Sequence, residues 1–257
     1  MWLLLAFLLP GCEKLDAASN VVDGLGDTTV AQGIFLGADI PPFVTLPDDA
    51  EFYSALCKVF LAEVQDASDL GESPVSGADV RFTSSETGRI EFSEEGPGEY
   101  RVYSFDGLSY EPGQTANVSF DIAGETGVLS VKAPGAPEFE LPESHSARKP
   151  MTLELDKGEF EHVVAAVYDI DHDILTWDSL PADVEEAYAL NTEDAEVVTE
   201  VEIPGEAFVR GSNYLVGVAG LEVADSEGFE GVNRALSTFA AGQFELGVIQ
   251  VEGTGGK

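Results

Sequence analysis

From Phe52 onward the chain is a succession of short apolar runs cut by Gly, Pro, Asp and Ser: FYSALCKVFLAEV, ADVRFTSS, RIEFSE, GEYRVYSF, TANVSFDI and GVLSVKA. Within them the polarity alternates. Val80 and Phe82 alternate with Asp79, Arg81 and Thr83, and Tyr100 and Val102 alternate with Glu99, Arg101 and Tyr103. A period of two puts one face of a strand in a core and the other in water. Glu86-Thr87-Gly88, Glu95-Gly96-Pro97-Gly98 and Glu111-Pro112-Gly113 supply the positive and fixed φ angles that tight turns require. No helical repeat is sustained, so the pattern predicts an all-β sandwich or barrel.

The turn-and-linker composition of Ala133-Pro134-Gly135-Ala136-Pro137 closes this series, and a polar stretch, EFELPESHSARKP, follows it. Past Met151 a second series begins: MTLELD, HVVAAVYD, HDILTWDSLP, EEAYALN, AEVVTEVEIPG, SNYLVGVAGLEV and QFELGVIQVEG. These boundaries predict one β-sandwich over 51–137 and another over 138–252, with a disordered tail at 253–257. The chain is ample for two cores of ordinary domain size. The connection between Asp225 and Gly242 is long enough to hold a short helix around Asn233 to Phe239.

Two stretches resemble known modules. Pro74, Val75, Gly77, Ala78 and Val80, followed by Gly98 and Tyr100, resemble the strands of immunoglobulin-like or carboxypeptidase-regulatory-like modules of bacterial surface proteins. Trp177, Pro181, Tyr188 and Leu190, then Gly211, Tyr214, Val216 and Val218, resemble a fibronectin type III-like sandwich, with Trp177 and Tyr214 at core positions. The resemblance implies two tandem immunoglobulin-like β-sandwich domains and adhesive or spacer roles without catalytic residues.

The N-terminus carries an unbroken apolar run, WLLLAFLL, then Pro10, Gly11 and Cys12, then the charged Glu13 and Lys14. The run is too short to span a bilayer as a helix, which takes about twenty apolar residues. With Leu9 three places before the cysteine and Gly11 directly before it, the segment resembles a bacterial lipoprotein signal peptide ending in a lipobox. That resemblance implies that residues 1–11 are removed, that Cys12 is acylated with lipid, palmitate included, and that residues 12–50 form a lipidated tether. The implied location is the bacterial cell envelope, at the outer membrane on its periplasmic or surface face. Several acyl chains, at about 0.8 kcal/mol per buried methylene, hold a protein on a membrane far more firmly than one does. The other cysteine, Cys57, then has no disulfide partner and reads as a small buried apolar residue.

The chain has 48 acidic and 12 basic residues, a formal charge of -36. Nothing here neutralises phosphates, so nucleic acid is excluded as a partner. The acids are spread along the chain, as on a solvated surface.

The densest polar cluster is DIDHD. Asp169, Asp171 and Asp173 imitate the first half of a calcium loop, but Ile174 stands where that loop wants glycine and Leu180 where it wants a bidentate acid. A bound calcium and a solvated acidic turn are the two readings of these aspartates. His145, His162 and His172 have no zinc spacing, though His162 and His172 could approach across a hairpin. There is no glycine-flanked serine elbow and no phosphate-cradling loop. Tyr103 lies out of phase with Tyr100 and Val102, and with Tyr110 it offers an exposed aromatic platform for a glycan; the competing reading places both in core and turn positions. The expectation is a non-enzymatic binding or structural module needing no cofactor. The alternatives are a calcium-dependent adhesion or carbohydrate-binding protein and a hydrolase with a distributed site.

Overall fold

A computed structural model describes residues 28–39, 53–64, 73–157, 160–179, 197–224, 226–234 and 236–253. The described residues form strands β1 (Thr28–Ala38), β2 (Ala55–Val64), β3 (Asp79–Ser84), β4 (Gly88–Glu91), β5 (Ser93–Gly96), β6 (Glu99–Tyr103), β7 (Thr115–Ile122), β8 (Glu125–Lys132) and β9 (Glu138–Phe139). They continue with β10 (His145–Ser146), β11 (Met151–Lys157), β12 (His162–Asp169), β13 (Ile174–Asp178), β14 (Glu200–Ile203), β15 (Ser212–Val223), β16 (Phe229–Glu230) and β17 (Thr238–Glu252). Between them lie turns and three-residue 3₁₀ segments, so the described residues are all-β.

One sheet runs through the whole body, in the order β13-β12-β15-β17-β1-β2-β6-β5, with β10 added beside the end of β17. Two smaller sheets cover one of its faces, β16-β8-β7-β3-β4 and β14-β11-β9. Alternation along the strands builds the two cores between these layers. In the first, Phe35, Cys57, Val59, Val102 and Phe239 of the large sheet meet Phe82, Val118, Phe120 and Leu129 of the five-stranded sheet. In the second, Val167, Tyr214, Val216 and Ile249 meet Met151, Leu153 and Ile203. Leu36, Tyr168, Leu215, Ala219 and Phe244 form a third cluster on the reverse side of the central strands.

The two sandwiches therefore share a wall. The strand common to both is β17, and β1, which lies within the stretch expected to be tether, ties it to β2. Ten residue pairs from Thr28↔Val64 to Gly37↔Ala55 hold β1 antiparallel to β2, and its end from Gln32↔Thr238 to Ala38↔Phe244 runs parallel to β17. Glycines within TTVAQGIFLGA make it read as linker, yet they are packing positions. A Cβ on Gly37 would sit 2.2 Å from Cγ of Tyr110.

Among the described residues no helix forms around Asn233 to Phe239. Asn233 O accepts from the backbone N–H groups of Leu236 and Ser237, which makes a turn, and β17 starts at Thr238 because β15 and β1 offer backbone partners on both sides. Cys57 is fully buried in β2, and burial pushes its thiol well above its ordinary pKa. The two halves of the first resemblance meet directly: Tyr100 Oη donates to Val75 O and accepts from Ala78 N.

Candidate functional site

The reverse face of β2 and β6 carries a site of a different character from the cores. Cross-strand register sets Leu56 beside Tyr103, Lys58 beside Arg101 and Phe60 beside Glu99, while Cys57, Val59, Tyr100 and Val102 face inward. Arg101 is nearly buried and forks onto two carboxylates, Nη1 donating to Glu95 at 2.8 Å and Nη2 to Glu99 at 3.1 Å. Lys58 Nζ lies 3.4 Å from the same Glu99 oxygen. Burial and the neighbouring Arg101 charge pull Lys58 down to about 8, against the opposing pull of Glu99 and Glu95.

This ionic strip leads into three aromatic rings. Tyr103 Oη donates to the second oxygen of Glu95 at 3.1 Å. Its ring lies 4.5 Å from that of Tyr53 and 5.0 Å from that of Phe105, the latter only 19° from parallel. The turn Ser104–Asp106 holds Phe105 there: Asp106 accepts from Tyr103 N at 3.1 Å, and Gly107 closes the turn at a φ of 94°. Tyr103 is 6% exposed, whereas Phe105 is 69% exposed, the highest value among the described large apolar residues. Burial raises the Tyr103 phenol, partly offset by its hydrogen bond with Arg101.

Tyr110 does not share this surface, so the Tyr103 and Tyr110 platform is not formed. Tyr110 packs over Gly37 on the opposite side of the sheet, 4.7 Å from the ring of Phe35, and donates to Pro134 O. Its phenol is raised by burial. The ring partners of Tyr103 are Tyr53 and Phe105. Phe105 closes the run GEYRVYSF and so lies near Tyr103 in the sequence, but Tyr53 is brought in by the approach to β2 and carries no local signal.

The second polar cluster is DIDHD, where β12 turns into β13. Asp169 is wholly buried, and its Oδ1 accepts from Ser212 Oγ and lies 3.0 Å from His172 Nδ1. Its Oδ2 has no hydrogen bond and lies 3.5 Å from Arg210 Nε. Asp171 accepts from the backbone and side chain of Asn213, and its Oδ2 lies 2.9 Å from the same Ser212 hydroxyl; these contacts hold its carboxyl below the usual range. Asp173, at a φ of 57°, accepts from Tyr168 Oη. Asp169 and Asp171 thus share the Ser212 hydroxyl while Asp173 is held by Tyr168, and no group of three or more acidic, histidine or cysteine ligands converges among the described residues.

Ser212, Asp169 and His172 are the residue types of a hydrolytic triad with different wiring. In a triad the imidazole stands between hydroxyl and carboxylate; here the carboxylate stands between hydroxyl and imidazole, so no imidazole base faces Ser212. His162 is the first residue of β12 paired with β15, and His172 lies past the other end of that pairing at Asp169, so they do not approach each other. His145 instead contacts Lys149 O and the ring of Phe208. Tyr214 is fully buried, as its motif implied, and Trp177 is half-buried on edge strand β13 against the second core. Cys12, Pro181, Tyr188 and Leu190 lie outside the described residues.

No protein-family model matches this chain, and no curated protein matches it. Among solved structures, the FN1–FN3 domains of chicken CNTN1 are similar at 11% identity with a TM-score of 0.19, over 76% of this chain. The chain spans 62% of the length of that structure.

Proposed function

We propose that this chain is a bacterial cell-envelope lipoprotein that acts as a binding module, held to a membrane through acylated Cys12 and lacking enzymatic activity. The apolar leader ending in LLPGC supports the anchor and the envelope location, outer membrane included. The observation that carries the binding role is Phe105, held 69% exposed by a closed turn and stacked on a buried tyrosine. An apolar ring fixed in water is a standing free-energy cost that a partner relieves.

Two measurements test the reading. Cys12→Ser moves the protein from the membrane to the soluble fraction, and an unchanged distribution refutes the anchor. The soluble Cys12→Ser chain sediments with isolated envelopes of its own cell, and adding Phe105→Ala weakens that at least tenfold; a chain that stays in the supernatant refutes the binding role.

A calcium-dependent form of the same role is favoured by one observation, the buried Asp169 Oδ2 without a hydrogen bond. Arg210 stands beside that oxygen, and its removal is the test developed below.

A further inference from the structure

We infer that the step formed by Tyr53, Tyr103 and Phe105, with Glu95 at its side, is a binding site for a neutral sugar ring. This rests on the binding-module reading above and names its ligand class.

The size of the patch comes first. Of the described large apolar side chains, Phe105, Ile174, Val197 and Val209 are exposed, and only Phe105 belongs to an aromatic cluster. A stable protein partner buries about 800 Å² on each side around a cluster of anchors. One exposed ring backed by two nearly buried ones offers far less. It offers the face of a single six-membered ring, which matches one pyranose.

The chemistry of the rim comes second. The C–H groups on one face of a pyranose are weakly positive, and the face of an aromatic ring is its negative pole. Stacking therefore needs no charge on the sugar. The hydroxyls around the ring need acceptors in a fixed direction. Glu95 supplies them: Tyr103 Oη holds Oε1 at 3.1 Å and Arg101 Nη1 holds Oε2 at 2.8 Å, which immobilises the carboxylate while each oxygen keeps a second lone pair. The Glu95 side chain keeps 35% of its surface open to solvent. Fixed polar groups beside an apolar surface are what gives a small-molecule site its orientation.

Charge comes third. Arg101 is buried, with Nη1 and Nη2 turned onto Glu95 and Glu99, so no guanidinium edge is presented to an anion. The chain as a whole carries -36, which repels uronate-containing or sulfated polysaccharides at ordinary ionic strength. The ligand class left is uncharged: hexoses and N-acetylhexosamines.

The test uses the full-length Cys12→Ser chain on immobilised oligosaccharides of glucose, galactose, mannose and N-acetylglucosamine, with polygalacturonate as the acidic comparison. Binding to at least one neutral probe is expected, with none to polygalacturonate at equal concentration. Phe105→Ala lowers affinity at least tenfold, Phe105→Trp retains it, and Glu95→Gln lowers it several-fold. Ile174→Ala, at an exposed apolar residue away from the cluster, changes nothing. Thermal unfolding of each variant separates loss of the site from loss of the fold. No binding to any neutral probe, binding to polygalacturonate alone, or undiminished binding by Phe105→Ala overturns the inference. If envelope sedimentation persists, depends on Phe105 and resists competition by all the neutral probes, the sugar site fails while the binding role stands; if sedimentation itself is absent, the binding role fails.

Discussion

Ser212 Oγ donates to Oδ1 of Asp169, a carboxylate with no exposed surface, although Asp171 Oδ2 lies only 2.9 Å from the same hydroxyl. A hydroxyl has one proton for two acceptors, and the buried one has the greater need because water cannot replace the bond. Ser212→Ala leaves Asp169 Oδ1 with His172 alone, and a loss of about 1–3 kcal/mol is expected. Asp171→Asn acts at the solvent-facing acceptor and costs less than about 1 kcal/mol. Urea unfolding of the two variants checks the order, and equal losses contradict it.

Arg210 brings its own positive charge to the DIDHD turn, with Nε 3.5 Å from Asp169 Oδ2. A guanidinium there opposes a second cation by repulsion and by occupying the oxygen's open side. Arg210→Ala is expected to create a larger rise in melting temperature with millimolar calcium than the parent chain shows, by ligand linkage. Calorimetry at several calcium concentrations checks this. An identical response in both chains removes Arg210 from the argument, and a loss of response on Asp171→Asn identifies the aspartates as ligands.

Lys58 gives the fold an alkaline dependence. Its folded pKa of about 8 lies below its ordinary 10.5, because burial and the Arg101 charge penalise the ammonium form. Between these values the unfolded chain binds the extra proton, so stability rises with pH through this window. Below pH 8 the penalty is fully present. The gap corresponds to about 3 kcal/mol as an upper figure. The difference in stability between the parent chain and Lys58→Met is expected to move in the parent's favour from pH 7 to pH 10. Denaturant titrations of both proteins across that range measure it, and parallel curves would sink the assignment.

Local pattern made some strands visible and long-range pairing made others. Val80 and Phe82, or Tyr100 and Val102, alternate within a few residues of a turn, and each pair points into the first core as the alternation requires. Nothing local distinguishes β1 from a linker, because Gly33 and Gly37 interrupt it and its two partners lie at opposite ends of the sequence. The same pairing converts Thr238 and Phe239 from an apparent helix end into the start of a fifteen-residue strand. In the aromatic site, Tyr103 was marked by its opposite phase to Val102. Tyr110 was misplaced beside it because sequence proximity does not report which face of a sheet the chain has reached after the turn at Gly107.

The shared strand β17 is expected to make the two cores one cooperative unit. Phe35 is fully buried in the first core, 5.0 Å from the ring of Phe82, and its strand pairs with β17, which supplies Phe239 to the first core and Ile249 to the second. Phe35→Ala is expected to cost about 3–5 kcal/mol. In a chain beginning at Cys12, Trp177 is the sole tryptophan, and it packs against the second core. If the shared sheet couples the halves, Phe35→Ala shifts the urea midpoint seen by Trp177 fluorescence as far as the one seen by far-ultraviolet circular dichroism. Coincident transitions by two probes are the signature of all-or-none unfolding. A Trp177 transition that stays in place while circular dichroism develops an earlier step shows instead that β1 can leave β17 without disturbing the second sandwich, and that the shared wall is a seam.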